Sequence, residues 1–345
     1  MKKIFFVMST DDYSGAEAVN FSIINNLKDK YEFYWVSRKG KINKFLEANE
    51  IKHIEIRKLS VKEINRVIKK FNPDILHATD YKASVICSLA KIKKIPLISH
   101  LHNNSPWLSK FHPYSFALLF IAFKAKMILT VSNSIENEYV FSKLIRKKIN
   151  MIGNPISTKS IINKVNKDDY TKKYDICCVG RLTEQKNPYM FLNIIQKLVV
   201  NHSDLKCIWV GKGELLEEII SKSKSMNIGK NIDFVGFQDN PYKFMASSKI
   251  FLLCSKWEGF GLVTFEALSL GLPAVVSNVG GLPMMVNNSC GKLCKEEDEF
   301  VEEVNKLLND KKYYLMKAYN ATQQSNNIDN LDEYIKRMYR IYKNI

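Results

Sequence analysis

The sequence predicts an α/β protein built from two doubly wound domains that face a cleft. The chain has 345 residues, which is too long for one ordinary hydrophobic core and suits two domains. Short continuous apolar runs alternate with amphipathic stretches along the whole chain. That alternation is typical of buried parallel strands joined by crossover helices, and such sheets bind ligands at the carboxyl ends of their strands.

Five strands are predicted in each half of the chain. In the first half the apolar runs are residues 4–8, 33–36, 74–77, 96–101 and 127–132. In the second half they are residues 175–179, 206–210, 232–235, 250–254 and 274–277. The polar stretch 157–173 separates the two series and is the linker candidate.

We accordingly place a first domain at residues 1–160 and a second domain at residues 161–328. The remaining segment, residues 329–345, is predicted to form a terminal helix because its apolar side chains recur at helical spacing. The sequence leaves open which domain receives this helix, and a return to the first domain is one of the two possibilities.

The positive charge is concentrated in the first half. The net charge is +17, and residues 1–165 hold 28 Lys and Arg against 13 Asp and Glu. A basic first domain indicates an anionic partner: a phospholipid surface, a nucleic acid or a phosphorylated acceptor. The alternative is a solvated lysine-rich surface without a partner.

The chain is expected to be a cytoplasmic protein. The seven cysteines show no paired metal-binding spacing and are expected to be reduced core residues. No signal peptide is evident, and the longest apolar stretch, residues 116–129, contains Lys124 and Lys126. It is also shorter than the roughly 20 residues that a membrane-spanning helix needs.

The most informative segment contains two carboxylates, Glu258 and Glu266, on either side of a Gly-Phe-Gly turn. A helix is predicted over about residues 262–270, because Gly271 and Pro273 provide a stop signal. This helix is apolar nearly all round and should be buried. A carboxylate within it, Glu266, needs a partner, and a ligand hydroxyl is a good candidate.

The same helix provides a candidate anion site at its N-terminus. The backbone amides of Phe260, Gly261 and Leu262 are expected to be unpaired donors there, where the helix dipole favours negative charge. A phosphate cradle flanked by two hydroxyl-binding carboxylates suits a sugar nucleotide. The alternative is an ordinary buried helix with one capped and one exposed glutamate.

Five motifs follow one another in the second half: GRLTEQKNP at 180–188, VGKG at 210–213, VGF at 235–237, the carboxylate segment at 258–266 and SNVGGLP at 277–283. Together they resemble family 4 of the retaining GT-B glycosyltransferases. In the first half the resemblance depends on SGAE at 14–17, PDILH at 73–77, HN at 102–103 and VSN at 131–133. The NPI at 154–156 resembles members that build bacterial surface polysaccharides.

The resemblance implies two Rossmann-like domains, a nucleotide-diphosphate sugar held mainly by the second domain, and transfer with retention. Arg181 and Lys186, which follow Gly180, would neutralise the two donor phosphates in a role otherwise played by a metal. Glu266 would bind the ribose hydroxyls, and Glu258 a hydroxyl of the transferred sugar. No metal ion or other cofactor is expected.

Further donor contacts are implied around the same site. The amides of Phe260 and Gly261, with Leu262 beside them, would face the sugar and the phosphates. The loop that contains Gly211 would lie near the base.

In the first domain the resemblance implies two contacts with the donor. Gly15 follows the first strand and, lacking a Cβ atom, would let the donor approach the backbone. His102 would lie near the reacting sugar, where it could bind a hydroxyl or stabilise charge. His100 and His77 are alternatives to His102, and His77 is expected to be structural. The catalytic candidates are therefore His102, Glu258, Arg181 and Lys186.

The predicted function is transfer from a nucleotide sugar, UDP-hexose or UDP-N-acetylhexosamine, to a lipid-linked or glycan acceptor. The product would be a capsule, exopolysaccharide or O-antigen. The basic first domain and the aromatic segment 106–123 suit docking at an anionic membrane surface, at the inner face of the cell membrane. That segment could equally be an ordinary amphipathic helix of the first core.

Three other functions are considered. A nucleotide-sugar epimerase of the same architecture would need further clustered carboxylates, which the sequence lacks. A basic nucleic-acid-binding protein would need basic residues interleaved with exposed aromatics, or a known binding module, and neither is present. A non-catalytic sensor of sugar nucleotides would retain the donor-site motifs.

Overall fold

The structure is a computed structural model, and it describes residues 1–92, 94–103 and 105–345. Packing divides the chain into two compact units. The first comprises Met1–Pro155 and Asn330–Ile345, and the second comprises Ile156–Asp329. Each unit contains one parallel sheet with helices, so the predicted α/β class with two doubly wound sheets is confirmed.

The sheet of the first unit has seven parallel strands in the order β3-β2-β1-β4-β5-β6-β7. The strands are β1 (Lys3–Val7), β2 (Glu32–Ser37), β3 (Lys52–Glu55), β4 (Ile75–Thr79), β5 (Leu97–Leu101), β6 (Met127–Thr130) and β7 (Ile149–Met151). Every residue of β4 and β5 is buried, because helices cover both faces of a doubly wound sheet. The strand order reverses between β1 and β4, which creates a crevice at their carboxyl ends.

In the described part of the first unit, seven helices connect these strands. They are α1 (Gly15–Leu27), α2 (Asn43–Ala48), α3 (Val61–Phe71), α4 (Asp80–Leu89), α5 (Pro113–Lys124), α6 (Ser134–Glu138) and α7 (Ser142–Ile145), with 3₁₀ turns at Pro106–Ser109 and Arg146–Lys148. Local signals set their ends. Helix α3 begins after Ser60, whose hydroxyl accepts the Glu63 amide, and ends at Asn72 in the left-handed conformation.

The sheet of the second unit has six parallel strands in the order β10-β9-β8-β11-β12-β13. They are β8 (Tyr174–Val179), β9 (Cys207–Val210), β10 (Ile232–Gly236), β11 (Ser248–Leu253), β12 (Ala274–Ser277) and β13 (Gly291–Cys294). The reversal of strand order here falls between β8 and β11.

The helices of the second unit include the buried helix that the sequence predicted. They are α8 (Thr158–Ile162), α9 (Pro188–Val199), α10 (Leu216–Ser225), α11 (Tyr242–Ala246), α12 (Leu262–Ser269), α13 (Glu297–Asn309) and α14 (Lys311–Ile328), with 3₁₀ turns at Lys167–Tyr170, Glu184–Lys186, Gly229–Asn231 and Leu282–Met284. Helix α12 packs against α14 and α8, and buries Phe265, Ala267 and Leu268.

The sequence prediction missed three strands and misread one segment. The missed strands β3, β7 and β13 all lie at sheet edges, and each has only three or four residues. Edge strands keep polar, partly exposed side chains, so they lack the continuous apolar runs of the central strands. The stretch 157–173, predicted as a linker, instead contains α8 and a 3₁₀ turn and belongs to the second unit.

The last helix, α15 (Leu331–Asn344), belongs to the first unit. It packs on α1 and buries Tyr334, Met338 and Tyr342. Lys2 reaches its end and donates to the Tyr342 carbonyl oxygen at 3.2 Å. All seven cysteines are buried and none is in a disulfide. Within the described ranges, no helix is long and apolar enough to span a membrane.

A buried lysine ties α14 to the rest of the second unit. The Lys317 ammonium lies 3.4 Å from Glu303 on α13 and donates to the carbonyl oxygens of Asn288, at 2.7 Å, and Gly291, at 3.0 Å. Lys317→Ala should lower the free energy of unfolding by about 3–5 kcal/mol, because it leaves a buried carboxylate without its cation. Urea unfolding measures this loss. The exposed Lys312→Ala on the same helix is the control, and equal losses in both variants would refute the prediction.

Candidate functional site

Three loops of the second unit carry most of the residues predicted to bind the donor. They follow β8, β11 and β12, which are neighbours in the sheet and end at the same edge. The first two loops are joined by hydrogen bonds. The Lys256 amide donates to the Gln185 carbonyl oxygen at 2.8 Å, and the Gln185 side chain donates to the Trp257 carbonyl oxygen at 3.0 Å.

The third loop packs directly on the second. A Cβ atom at Gly280 would lie 1.8 Å from the carbonyl oxygen of Glu258, and Gly280 has a φ of +56°. The close contact excludes any side chain at this position, and the left-handed backbone also favours glycine. The Gly280-Gly281 pair is therefore required for the backbone around Glu258 to take its observed position.

Gly211 has a packing role in this structure. A Cβ atom on it would lie 2.0 Å from the Gly180 carbonyl oxygen. The Leu182 amide also donates to the Lys212 carbonyl oxygen at 3.1 Å, so the loops after β8 and β9 are in backbone contact. Gly180 itself leaves room for the Lys186 side chain, whose Cε atom would lie 3.0 Å from a Cβ at that position.

Lys186 and Glu258, assigned by the resemblance to different parts of the donor, contact each other. They form an ion pair in which the side chains are only 12% and 7% exposed. The Ser255 hydroxyl donates to the same Glu258 oxygen at 2.8 Å. A buried ion pair needs such additional hydrogen bonds to offset desolvation. The pair fixes the ammonium group of Lys186 beside the strand ends.

Arg181, by contrast, is exposed. Within the part of the chain that the structure describes, no carboxylate forms an ion pair with its guanidinium group. A guanidinium group free of a protein carboxylate can donate two parallel hydrogen bonds to a phosphate.

Glu266 lies on α12 and its side chain is half-buried. The Tyr242 hydroxyl donates to one of its oxygens at 3.2 Å. Burial raises the pKa of Glu266 to about 7, while the Tyr242 hydrogen bond and the charge of Lys164 act in the opposite direction. A ligand that donates hydroxyl hydrogens to this carboxylate would stabilise its charged form.

The first turn of α12 is open to an anion. Gly261 precedes it with a φ of +87°, and a Cβ atom there would lie 2.5 Å from Leu282 Cδ2. Over the ranges that the structure describes, the backbone amides of Phe260, Gly261 and Leu262 have no hydrogen-bond acceptor. The first turn also contains no acidic side chain. These donors and the helix dipole form a site suited to phosphate.

In the first unit, Gly15 is the first residue of α1 and is exposed. The loop before it is held by the buried carboxylate of Glu17. That carboxylate accepts from the Thr10 hydroxyl at 2.5 Å, from the Ser14 hydroxyl at 2.5 Å and from the Ser14 amide at 3.0 Å. The backbone at Gly15 is thereby presented at the carboxyl end of β1.

His102 follows β5, and its backbone amide donates to Asp80 at 3.1 Å. Burial lowers the pKa of His102 to about 3, so its ring is neutral. Neither ring nitrogen has a hydrogen-bond partner among the described residues. A neutral ring offers one donor and one acceptor, which suits a sugar hydroxyl. The alternatives His77 and His100 are fully buried and bond each other at 3.1 Å.

The residues that hold the predicted ones were not recognisable from the sequence. Ser255 contacts Glu258 and Tyr242 contacts Glu266, but neither a single serine in a loop nor a single tyrosine at the start of a short helix carries a recognisable signal. Lys164, whose charge acts on Glu266, lies in the stretch 157–173 that the sequence predicts as a linker. Across residues 1–92, 94–103 and 105–345, no three His, Cys, Asp or Glu side chains cluster as a metal site would require.

Family models match nearly the whole chain. The model described as Glycosyltransferase Family 4 matches residues 13–160, and the one described as Glycosyl transferases group 1 matches residues 160–324. The resemblance stated from the motifs is therefore confirmed.

Two curated relatives and one solved structure are similar to this chain. The Escherichia coli UDP-Gal:alpha-D-GlcNAc-diphosphoundecaprenol alpha-1,3-galactosyltransferase is 26% identical over 72% of this chain and 67% of that protein. A Campylobacter jejuni GalNAc-alpha-(1->4)-GalNAc-alpha-(1->3)-diNAcBac-PP-undecaprenol alpha-1,4-N-acetyl-D-galactosaminyltransferase is 25% identical over 94% of both chains. Anabaena HepE, solved in complex with UDP-glucose, has a TM-score of 0.88 and 19% identity over the full length of both chains. Both relatives are glycosyltransferases, which favours that function over the epimerase and nucleic-acid alternatives.

The pKa of Glu266 predicts a pH-dependent stability. A folded-state pKa raised from 4.5 to about 7 favours the protonated form, so its stabilising contribution is present below pH 4.5 and is lost as the pH rises through about 7. Relative to the native protein, Glu266→Gln should therefore gain about 1–3 kcal/mol in free energy of unfolding between pH 5 and pH 8. Urea unfolding at both pH values tests this. Glu217→Gln, at an exposed position on α10, should show no such gain, and a pH-independent effect of Glu266→Gln would contradict the assignment.

Proposed function

The chain belongs to glycosyltransferase family 4, and on that premise we propose that it transfers a sugar from a UDP-sugar to a lipid-linked or glycan acceptor, with retention. The transferred group is a hexose or N-acetylhexosamine, and the product is a bacterial surface polysaccharide such as an O-antigen, a capsule or an exopolysaccharide. The observation that carries the proposal is the half-buried Glu266 carboxyl group, one helical turn beyond an open helix N-terminus. A ribose diol can donate hydrogen bonds to this carboxyl group, and a diphosphate can accept hydrogen bonds from the amides of the helix N-terminus.

The donor is bound by the second unit. Glu266 accepts hydrogen bonds from the ribose hydroxyls, while Arg181 and the first turn of α12 contact the diphosphate. Lys186 directs its ammonium group to the same phosphates and remains paired with Glu258. Glu258 has a second oxygen, which can accept a hydroxyl of the transferred sugar. UDP is favoured as the nucleotide because the Escherichia coli relative uses UDP-Gal and the Anabaena structure contains UDP-glucose.

In the proposed reaction an acceptor hydroxyl oxygen forms a bond to the anomeric carbon as the bond from that carbon to the phosphate oxygen breaks. The hydroxyl proton passes to a phosphate oxygen of the departing UDP. The acceptor attacks from the same face that UDP leaves, and the configuration is therefore retained. Arg181, Lys186 and the amides of α12 stabilise the negative charge that develops on the diphosphate. His102 in the first unit is proposed to contact a hydroxyl of the reacting sugar.

The acceptor is proposed to be lipid-linked because both curated relatives are named for undecaprenyl-linked acceptors. An enzyme with such a substrate must work at the inner membrane surface. Helix α5 of the first unit has a surface that suits this location. We call it the aromatic face, and it consists of the exposed side chains of Phe116, Phe120 and Phe123 on the helix and of Phe111 just before it.

Helix α5 is apolar on both sides, which combines the two roles considered for this segment. Leu118 and Ile121 are buried in the core of the first unit, while Phe116 and Phe123 are 53% and 73% exposed. Exposed basic side chains lie in the same region of the sequence: Lys110, Lys124, Lys126, Lys143, Arg146 and Lys147. Aromatic rings with basic neighbours suit insertion among anionic lipid headgroups.

Donor binding is tested by thermal unfolding with UDP-, GDP- and ADP-sugars. A UDP-sugar at a hundredfold excess over Kd should stabilise the protein by about 2.7 kcal/mol. Glu266→Ala should abolish that shift, because the ribose hydroxyls lose their acceptor. The exposed Glu217→Ala in the same unit should retain it. The proposed donor site would be refuted if no nucleotide sugar shifted the transition, or if both variants responded like the native protein.

Membrane docking is tested by co-sedimentation with vesicles. The protein should bind vesicles that contain phosphatidylglycerol more strongly than pure phosphatidylcholine vesicles, and high salt should weaken this binding. Phe116→Ser with Phe123→Ser should reduce partitioning at least about tenfold, since each exposed ring loses about 1.5–3 kcal/mol of burial.

A matched control is available in the second unit. Leu315 and Tyr319 on α14 are 55% and 66% exposed, similar to the two phenylalanines. Replacing both by serine should leave vesicle binding unchanged. Equal losses from the two double variants would indicate nonspecific adsorption and contradict docking through the aromatic face.

A further inference from the structure

Three buried side chains of the first unit, Tyr342, His77 and His100, form a continuous chain from the C-terminal helix to the half-buried His102. The Tyr342 hydroxyl lies 2.7 Å from His77 Nδ1, and His77 Nε2 lies 3.1 Å from His100 Nδ1. The rings of His100 and His102 pack with their centroids 4.0 Å apart. We call these four residues the histidine chain.

The phenol at one end determines the protonation of the two central rings. Burial lowers the pKa values of His77 and His100 and raises that of Tyr342, so all three groups are neutral. In the described part of the molecule, the Tyr342 hydroxyl has no other hydrogen-bond partner than His77. If the hydroxyl donates to His77 Nδ1, only His100 Nε2 is left unsatisfied among these three groups, whereas the reverse direction leaves both the Tyr342 proton and His100 Nε2 unsatisfied. The hydroxyl is therefore assigned as the donor.

This direction propagates along the chain. With Nδ1 accepting, His77 has its proton on Nε2 and donates it to His100 Nδ1. His100 in turn has its proton on Nε2. One hydroxyl group thus selects the tautomer of two histidines and fixes the plane of the ring on which His102 packs.

His102 depends on that ring for its orientation. Its ring nitrogens have no hydrogen-bond partner in the described ranges, and its backbone is held by the bond to Asp80. The contact with His100 is therefore the specific constraint on the orientation of the His102 ring and its two unpaired nitrogens.

We propose that Tyr342 is a positioning residue for His102 and acts through His77 and His100. The proposal rests on the proposed contact between His102 and the reacting sugar. It gives the return of α15 to the first unit a role in the reaction as well as in packing. The same helix contains a comparison residue: Tyr334 is also fully buried, but its hydroxyl lacks a partner among the described residues.

The first test needs no substrate. The chain has six histidines, so selective ¹⁵N labelling gives a tractable set of ring signals. His77 and His100 should both show the Nε2–H tautomer in the native protein. Tyr342→Phe should change the signals of His77, His100 and His102, whereas Tyr334→Phe should leave them unchanged. Native histidines in the opposite tautomer, or a His102 signal that Tyr342→Phe does not move, would overturn the proposal.

The second test measures release of UDP from the UDP-sugar that the protein turns over. Tyr342→Phe should lower kcat about tenfold and leave the donor KM within about twofold, because a misplaced ring affects the reaction more than donor binding. Tyr334→Phe should retain native kcat. In a His102→Ala background Tyr342→Phe should have no further effect, since the residue acts through His102. Equal loss of kcat with and without His102 would overturn the proposal.

Thermal unfolding of each variant separates an effect on stability from an effect on function. If Tyr342→Phe does not fold, both tests are made with His77→Gln, which breaks the histidine chain at its next member. If no UDP-sugar is turned over, the proposed donor fails. The ring signals still decide whether Tyr342 orients His102.

Discussion

The parallel orientation of every strand is the constraint on which this structure depends. All strands of such a sheet end at one edge, so loops distant in sequence are brought together there. Lys186 and Glu258 lie 72 positions apart, yet they form a buried ion pair because β8 and β11 are adjacent. The order of the strands, more than any local motif, assembles the candidate donor site.

Close backbone packing makes that assembly rigid. Glycines at 211 and 280 allow neighbouring loops to approach at distances that no side chain would permit. The resulting framework supports two different electrostatic environments. The charges of Lys186 and Glu258 neutralise each other, and the Ser255 hydroxyl adds a hydrogen bond to Glu258. By contrast, the Glu266 carboxyl group has no cation paired with it and the amides of the first turn of α12 have no acceptor among the described residues. A ligand with both hydroxyls and phosphates would bind most favourably at Glu266 and the first turn of α12. The pair with Glu258 keeps the Lys186 ammonium group in position, so it need not reorganise when the ligand binds.

The sequence was a reliable guide to the central strands, but it revealed only one of the four edge strands, β10. Strands such as β4 and β11 are buried on both faces, so their apolar runs are continuous and recognisable. The edge strand β3, with the sequence KHIE, has one buried residue and reads as a loop. The stretch 157–173 is polar, but it packs against the second unit through α8, and polarity alone does not reveal such packing.

For the candidate site, the sequence by itself determined the residue types and the local frame. Gly261 followed by an apolar run, and Gly271 after it, specify a helix that begins with open amides and carries Glu266 one turn further along, because these are local properties of the backbone and of hydrophobic spacing. Only the tertiary structure decided the partners. The pairing of Lys186 with Glu258, the contact of Tyr242 with Glu266, and the path from Tyr342 to His102 join residues from different strands and helices. Such contacts depend on strand order and helix packing, which long-range burial sets and which no local pattern records.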